Sequence, residues 1–302
     1  MEKLIIVGPS AQHLALRTAQ RLNCPTIECE TKQFPDGECY LRLDLKDEAI
    51  VEGKDVIIIQ TTGADVVGDQ NRRLMELVMI ISAVKRLKAG KIRVVVPYFA
   101  YGRQDKIFRP GETLFAQALC EMIENAGADE FYSIDIHAPK IYKSFSIPAH
   151  NLDPMPLLAE YIQSKYNLES PVVISPDKGA YKRSRDFASH FGEQTEVIQF
   201  EKTRDVVTGE VEMAGTMEVE NKDVIIADDI IATGGTMALA IAKAKEANAK
   251  QIIAVATHPL LLKNAVYRLL NAGTTAIVGT NAISGSFSTV DLSPLLAETF
   301  KD

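Results

Sequence analysis

One short strand pattern occurs twice in this chain. Lys54-Asp55-Val56-Ile57-Ile58 recurs as Lys222-Asp223-Val224-Ile225-Ile226. Each copy has a Glu two positions before it, Glu52 and Glu220, and each runs into a polar turn and a helical pattern. A further strand pattern then ends in proline, at Pro97 and at Pro259. Five matching residues alone carry little weight, but the shared strand–turn–helix–strand order points to a duplicated plan. With 302 residues the chain has room for both copies, at roughly 100–200 residues per domain. The division is expected near His150-Asn151-Leu152-Asp153-Pro154, giving domains of 1–150 and 151–302. The closing pattern, Pro294–Phe300, reads as a helix that is free to pack on the first domain.

The rest of the chain alternates in the same way. Strand patterns fall at Leu4–Val7, Val56–Ile59, Ile92–Val96, Phe131–Ile136, Val172–Ile174, Glu196–Ile198, Val224–Ala227, Ile252–Ala256 and Ala276–Val278. Most are unbroken apolar runs, as parallel strands covered on both faces require. Between them, Leu74, Leu77, Val78, Ile81, Val84 and Leu87 keep helical spacing before Gly90, and Ser10 is placed to cap a helix over Ala11–Leu22. The fold class expected is α/β, with two similar doubly wound parallel-sheet domains.

Composition narrows the function classes. Hydrophobic residues make up 46% of the chain, enough for sizeable cores. The 33 Lys and Arg against 40 Asp and Glu leave a formal charge of −7. That excludes a broad basic surface for nucleic acid, though not a local basic pocket. No apolar run approaches the roughly 18 residues of a bilayer span, and the N-terminal apolar stretch, ended by Gly8-Pro9, is too short for a signal peptide. Cys24, Cys29, Cys39 and Cys120 form no Cys-x-x-Cys pair, so reduced thiols and a cytoplasmic setting are expected.

The most informative stretch runs from Val224 to Thr236. A strand leads into Asp228-Asp229, then Ile230-Ile231-Ala232-Thr233-Gly234-Gly235-Thr236, then a helix over Met237–Ala247. Thr233, Gly234, Gly235 and Thr236 offer amides and hydroxyls at a helix N-terminus, which suits a phosphate. Two carboxylates at a strand's end suit sugar hydroxyls or Mg²⁺ instead. Together they imply a phosphorylated sugar. A bare strand–turn–helix connection is the plainer alternative. The stretch resembles the loop shared by phosphoribosyltransferases and ribose-phosphate pyrophosphokinases, and by itself it does not choose between them.

Other segments carry separate signals. Phe34-Pro35-Asp36-Gly37-Glu38 can stack a flat base on Phe34 and accept from an exocyclic amine at Asp36 and Glu38. It can equally be a surface turn. Arg103-Gln104-Asp105 follows Val96-Pro97-Tyr98-Phe99-Ala100-Tyr101-Gly102 and presents a guanidinium fork to phosphate oxygens. Ser133-Ile134-Asp135-Ile136-His137-Ala138-Pro139 ends a strand on a histidine. Asp177, after Val172-Val173-Ile174-Ser175-Pro176, fits either a hard cation or a helix cap. In Glu201-Lys202-Thr203-Arg204, two cations on alternate positions can bracket a polyphosphate or simply be solvated beside Glu201 and Asp205.

Taken in order with Ala256-Thr257-His258-Pro259, these segments resemble the ribose-phosphate pyrophosphokinase family across nearly the whole chain. The resemblance implies sheets of the type I phosphoribosyltransferase kind. It also implies transfer of the β,γ-pyrophosphoryl group of ATP to the 1-hydroxyl of ribose 5-phosphate. It assigns ATP to Phe34, Asp36, Gly37, Glu38, Arg103, Gln104 and Asp105, Mg²⁺ to His137 and Asp177, and the reacting phosphates to Lys202 and Arg204. Ribose 5-phosphate falls to Asp228, Asp229, Ala232, Thr233, Gly234, Gly235 and Thr236. It implies a homo-oligomer, dimer or hexamer, in which the Phe34 loop often serves a neighbouring subunit. A catalytically silent relative and a phosphoribosyltransferase are the rival readings. Three departures stand out. Ala232 replaces a common acid, Lys140 a common Gln, and Arg72-Arg73 a more acidic or amide-bearing pair ahead of the helix Leu74–Leu87.

Overall fold

The computed structural model describes residues 1–176, 179–199, 201–204, 211–214 and 217–301, with no side-chain detail between 200 and 216. The chain divides into two compact units. One comprises Met1–Asp153 with Ala282–Ser284 and Asp291–Asp302; the other comprises Pro154–Asn281 with Gly285–Val290.

In the first unit the strands are β1 (Lys3–Val7), β2 (Thr26–Gln33), β3 (Cys39–Leu43), β4 (Asp55–Ile59), β5 (Lys91–Val96), β6 (Glu130–Ile134) and β7 (Ala149–Leu152). They form one sheet in the order β3-β2-β1-β4-β5-β6-β7. All neighbours are parallel except β2 and β3, which form an antiparallel hairpin. The helices are α1 (Gln12–Leu22), α2 (Gln70–Arg86) and α3 (Phe115–Ala126).

In the second unit the helices α4 (Met155–Lys165) and α5 (Tyr181–Ser189) accompany β8 (Pro171–Ser175) and β9 (Glu196–Gln199). A small antiparallel pair follows, β10 (Glu201–Arg204) with β11 (Val211–Ala214). Then come β12 (Asp223–Ile230), α6 (Gly235–Glu246), β13 (Gln251–His258), α7 (Ala265–Ala272), β14 (Ala276–Thr280) and β15 (Ser288–Val290). The main sheet is parallel throughout, in the order β15-β14-β13-β12-β8-β9. The last helix, α8 (Ser293–Thr299), packs beside α1 in the first unit.

The two sheets share one plan. Replacing β2-β1-β4-β5-β6-β7 by β9-β8-β12-β13-β14-β15 reproduces the order of neighbours. The repeated Lys-Asp-Val-Ile-Ile segments are the central strands β4 and β12. Alternate residues bury on opposite faces, which explains the unbroken apolar runs. On β12, Val224 and Ile226 pack with α6 and α7, while Ile225 and Ala227 pack with α4 and α5. The repeated aspartate is structural in both copies. Asp223 accepts from the amides of Glu169 (2.6 Å) and Ser170 (3.3 Å) and from Gln251 (2.8 Å), and Asp55 lies 3.1 Å from Arg93.

Several local expectations need correction. Ser10 does not cap α1; its hydroxyl donates to the carbonyl of Thr61 at 2.6 Å, and α1 starts without a side-chain cap. The helix expected from Leu74 begins at Gln70, because Asp69 caps it by accepting from the Arg72 amide at 2.9 Å. Arg72 and Arg73 therefore lie within the helix. The strand expected to reach Ile136 ends at Ile134, where buried Asp135 turns to φ +46°. Among the described residues no helix is long and apolar enough to cross a membrane, and all four cysteines are free.

Candidate active site

In parallel α/β sheets, ligands favour the carboxyl ends of strands. In the second unit, β12 ends on the two acids, with Asp228 half-buried and Asp229 buried. Each carboxylate folds back on the chain: the Asp229 amide donates to Asp228 and the Ile230 amide to Asp229, both at 2.9 Å. Arg183 of α5 lies 3.9 Å from Asp229 and offsets part of its charge. The chain beyond is tied to the loop after β13. The amides of Leu261 and Leu262 donate to the carbonyls of Ile231 and Ala232, both at 2.9 Å.

Gly234 then takes φ +70° as the residue that starts α6, a conformation glycine adopts without strain. No side chain caps this helix. A Cβ at Gly234 would meet Leu269 of α7 at 3.3 Å, whereas a Cβ at Gly235 would meet nothing within 4 Å. The turn is thus packed on its α7 side and open in front of Gly235. With the helix dipole behind it, that opening suits an anion.

In the first unit the Phe34–Glu38 segment is the tip of the β2–β3 hairpin. The Phe34 amide donates to Glu38 at 2.8 Å and the Gly37 amide to Phe34 at 2.9 Å, with Gly37 at φ +98°. Phe34 is exposed and meets Tyr40 edge-on, with ring centroids 6.1 Å apart. Lys32 sits 5.1 Å from the Phe34 ring and 4.5 Å from the Tyr40 ring. Asp36 is used locally, accepting from the Glu38 amide at 3.2 Å.

The Arg103 segment is welded to the end of β4. The Ala100 amide donates to the Thr62 hydroxyl at 2.7 Å, and the Tyr98 amide to the Thr61 hydroxyl at 3.2 Å. Tyr101, at φ +63°, packs edge-on against Phe115 at 4.7 Å. This leaves Arg103 and Gln104 exposed. Asp105 is half-buried and pairs with Lys140 at 3.1 Å. That pair brings the Arg103 segment beside the His137 segment.

His137 is exposed, three residues beyond β6, in a braced segment. The Ile136 amide donates to the Asn151 side chain at 2.9 Å, Tyr142 donates to the same oxygen at 3.1 Å, and Ser133 lies 2.5 Å from the Tyr142 hydroxyl. Burial pushes the Tyr142 phenol well above its ordinary range, so it stays a neutral donor. Of the other expected residues, Asp177 lies outside the described residues. Lys202 and Arg204 stand on β10, in register with Met213 and Val211, and their side chains lie outside the described set. Among the described residues no cluster of three or more His, Cys, Asp or Glu forms a metal cage.

Sequence reasoning missed Arg183, Asn151, Tyr142 and Arg268, whose guanidinium donates to the Thr233 carbonyl. Each acts across the fold and carries no local motif. The Arg183 contact needs α5 laid against β12, and the Asn151 contact needs β7 paired with β6.

A duplicated parallel α/β frame with an acid pair and an open glycine turn at the end of one central strand defines a phosphoribosyltransferase-like protein. The comparisons are more specific. Residues 3–127 match the N-terminal domain of ribose phosphate pyrophosphokinase, and residues 147–275 match the phosphoribosyl transferase domain. A ribose-phosphate pyrophosphokinase of Methanobrevibacter smithii is 38% identical, covering 99% of this chain and 100% of the relative. One from Methanothermobacter thermautotrophicus is 37% identical at the same coverage. The crystal structure of phosphoribosylpyrophosphate synthetase from Mycobacterium smegmatis superposes with a TM-score of 0.86 at 30% identity, covering 99% of this chain and 97% of that one. The chain belongs to the ribose-phosphate pyrophosphokinase family.

Proposed function

We propose that this chain is an enzyme that makes 5-phosphoribosyl 1-pyrophosphate and AMP from ATP and ribose 5-phosphate, for nucleotide biosynthesis. One observation carries the reading over a phosphoribosyltransferase. The acid pair and open turn of the second unit occur in a chain whose first unit also exposes Phe34 at the β2–β3 hairpin tip and Arg103 and His137 on the loops after β5 and β6. A transferase needs only the former set.

In this reading, amides and hydroxyls of Thr233–Thr236 hold the 5-phosphate, and Asp228 and Asp229 hold ribose hydroxyls. Phe34, with Asp36, Gly37 and Glu38, receives the adenine. Arg103, Gln104 and Asp105 face the polyphosphate, with Lys140 fixing Asp105. The ribose 1-hydroxyl oxygen attacks the β-phosphorus and gives up its proton. The bond from that phosphorus to the oxygen bridging to the α-phosphate breaks, and AMP leaves with that oxygen. Positioning and charge neutralisation dominate such a step. Arg103, Lys202 and Arg204 supply fixed positive charge.

Mg²⁺ is the cation proposed. The residues proposed to meet it are His137, which is exposed, and Asp177, each alongside substrate oxygens and water, while Asp228 and Asp229 meet ribose hydroxyls directly or through a second Mg²⁺. When bound, Mg²⁺ neutralises phosphate charge. We also propose a cytoplasmic homo-oligomer, dimer or hexamer. Burial pushes the Cys29 and Cys120 thiols up to about 12, which disfavours their thiolates.

The test is the reaction itself. Purified chain with Mg²⁺, ATP and ribose 5-phosphate should release AMP and phosphoribosyl pyrophosphate in equal amounts. Absence of AMP with and without inorganic phosphate would overturn the reading.

A further inference from the structure

We propose that Arg268 of α7 is a positioning residue for ribose 5-phosphate: it holds the 233–234 peptide so that the Gly234 amide faces the anion. The inference rests on the phosphate reading of Thr233–Thr236 and deepens it.

The Arg268 guanidinium donates to the backbone carbonyl of Thr233. A trans peptide is planar, and its C=O and N–H point in opposite directions. Fixing the Thr233 carbonyl towards α7 therefore sends the Gly234 N–H the other way. That amide starts a helix, so no carbonyl four residues back can take it within α6. It is left for a ligand by construction. The neighbouring packing says the same. Leu269 and Ala265, on the same helix as Arg268, lie 3.3 and 3.5 Å from where a Gly234 Cβ would stand. The loop leading into α7 adds two more ties, from Leu261 to Ile231 and from Leu262 to Ala232. Leu261 and Lys263 hold left-handed backbone, at φ +47° and +56°, to make that approach.

Arg268 is therefore the polar end of an α7 platform beneath the turn. It is exposed, so the fold does not need it for burial. A hydrogen bond from a charged donor has real leverage on one peptide plane. Its positive charge also favours an anion nearby without touching it.

The experiment compares Arg268→Leu, Arg268→Lys and Gly235→Ala in the full chain, reading kcat, KM for each substrate and direct calorimetric binding of ribose 5-phosphate. Arg268→Leu should weaken ribose 5-phosphate by about tenfold to a hundredfold, as expected for one charge-assisted hydrogen bond. KM for ATP and the melting temperature should hold. Arg268→Lys keeps a cationic donor and should recover most of the loss. Gly235→Ala places a methyl group in the opening and tests the underlying reading separately. If it weakens ribose 5-phosphate while Arg268→Leu does not, the positioning role is wrong and the phosphate site stands. If neither variant changes ribose 5-phosphate affinity, the phosphate reading itself fails. A loss in Arg268→Leu that extends equally to ATP would also overturn the proposal.

Discussion

The two units set the same central strand to different uses. β4 and β12 begin alike, with Lys-Asp-Val-Ile-Ile, and diverge at their carboxyl ends. Counting on from the repeat, Gln60 and Thr61 stand where the second unit has Asp228 and Asp229. Gln60 is fully buried and accepts from the Ser10 amide at 3.1 Å; Thr61 donates to the Ala282 carbonyl at 2.7 Å. The first unit ties neutral side chains at these positions to its own backbone, whereas the second places two carboxylates there, each accepting one local amide at 2.9 Å. The helix starts differ in the same sense. Asp69 caps α2 with a carboxylate of the protein's own, whereas α6 begins at Gly234 with no side-chain cap. A helix N-terminus that already holds an anion cannot take a second one well; an uncapped one can.

Buried ions on α2 tie that helix to the turn after β4. Arg73 is 1% exposed and Glu76 is 0% exposed, with their charged groups 2.6 Å apart. Asp65 meets the same guanidinium at 2.6 and 2.7 Å. Burial pushes the Asp65 carboxyl up, but Arg73 and the amides of Val67 and Gly68 outweigh it and hold it below the usual range. If this cluster locks the turn after β4, Arg73→Leu removes the guanidinium that Glu76 and Asp65 share, leaving Glu76 to Arg72 at 2.9 Å and Asp65 to the amides of Val67 and Gly68. Its cost should be about 3–5 kcal/mol in urea unfolding of the full chain. A loss below about 1 kcal/mol would mean that the first unit's turn is not held by these ions.

Exchanging the strand ends tests the comparison directly. The double variant Asp228→Gln, Asp229→Thr gives β12 the ending of β4. The two carboxylate contacts to ribose in the proposed reaction are removed, so kcat/KM for ribose 5-phosphate should fall about a hundredfold or more. KM for ATP should stay within about twofold. Equal effects on both substrates would mean that the acids support the fold rather than the sugar.

Much of this contrast could be read from residues alone. The unbroken runs in β4, β5, β8, β12 and β13 mark strands buried on both faces, and the acids with Gly234-Gly235 mark the turn. The strands that escaped detection are at or near sheet edges. β2 reads Thr-Ile-Glu-Cys-Glu-Thr-Lys-Gln, half polar because one neighbour is a solvated hairpin arm, and β15 is only three residues long. The partners of the site were invisible for another reason. Lys140 reaches Asp105, and Arg183 reaches Asp229, only once helices and loops distant in sequence are laid beside the strand ends. Spacing within one segment holds no record of that.

The two glycines of the second unit's turn separate fold from function. Gly234→Ala forces a side chain to φ +70° beside Leu269, and the chain should lose about 1–2 kcal/mol of stability. Gly235→Ala meets open space, so its stability should hold or rise slightly. Yet its methyl group stands where a phosphate would approach, and KM for ribose 5-phosphate should rise about tenfold. Thermal melts paired with kinetics read both effects. Unchanged KM in Gly235→Ala would erase the functional difference between the two helix starts.

The smallest effect probes the first unit's helix start. Asp69 accepts from the Arg72 amide at 2.9 Å, the ordinary work of a capping side chain. Asp69→Ala should cost about 1 kcal/mol, and Asp69→Gly only a few tenths, because a glycine lets water reach the same amides. Neither should alter KM for ribose 5-phosphate by more than about twofold, since this helix start binds no substrate in the proposed reaction. The pair of variants therefore isolates the capping energy from any ligand role. A clear rise in KM for either substrate with Asp69→Ala would show that α2, like α6, presents its N-terminus to the chemistry. The division of labour between the two halves would then be less sharp than their strand ends suggest.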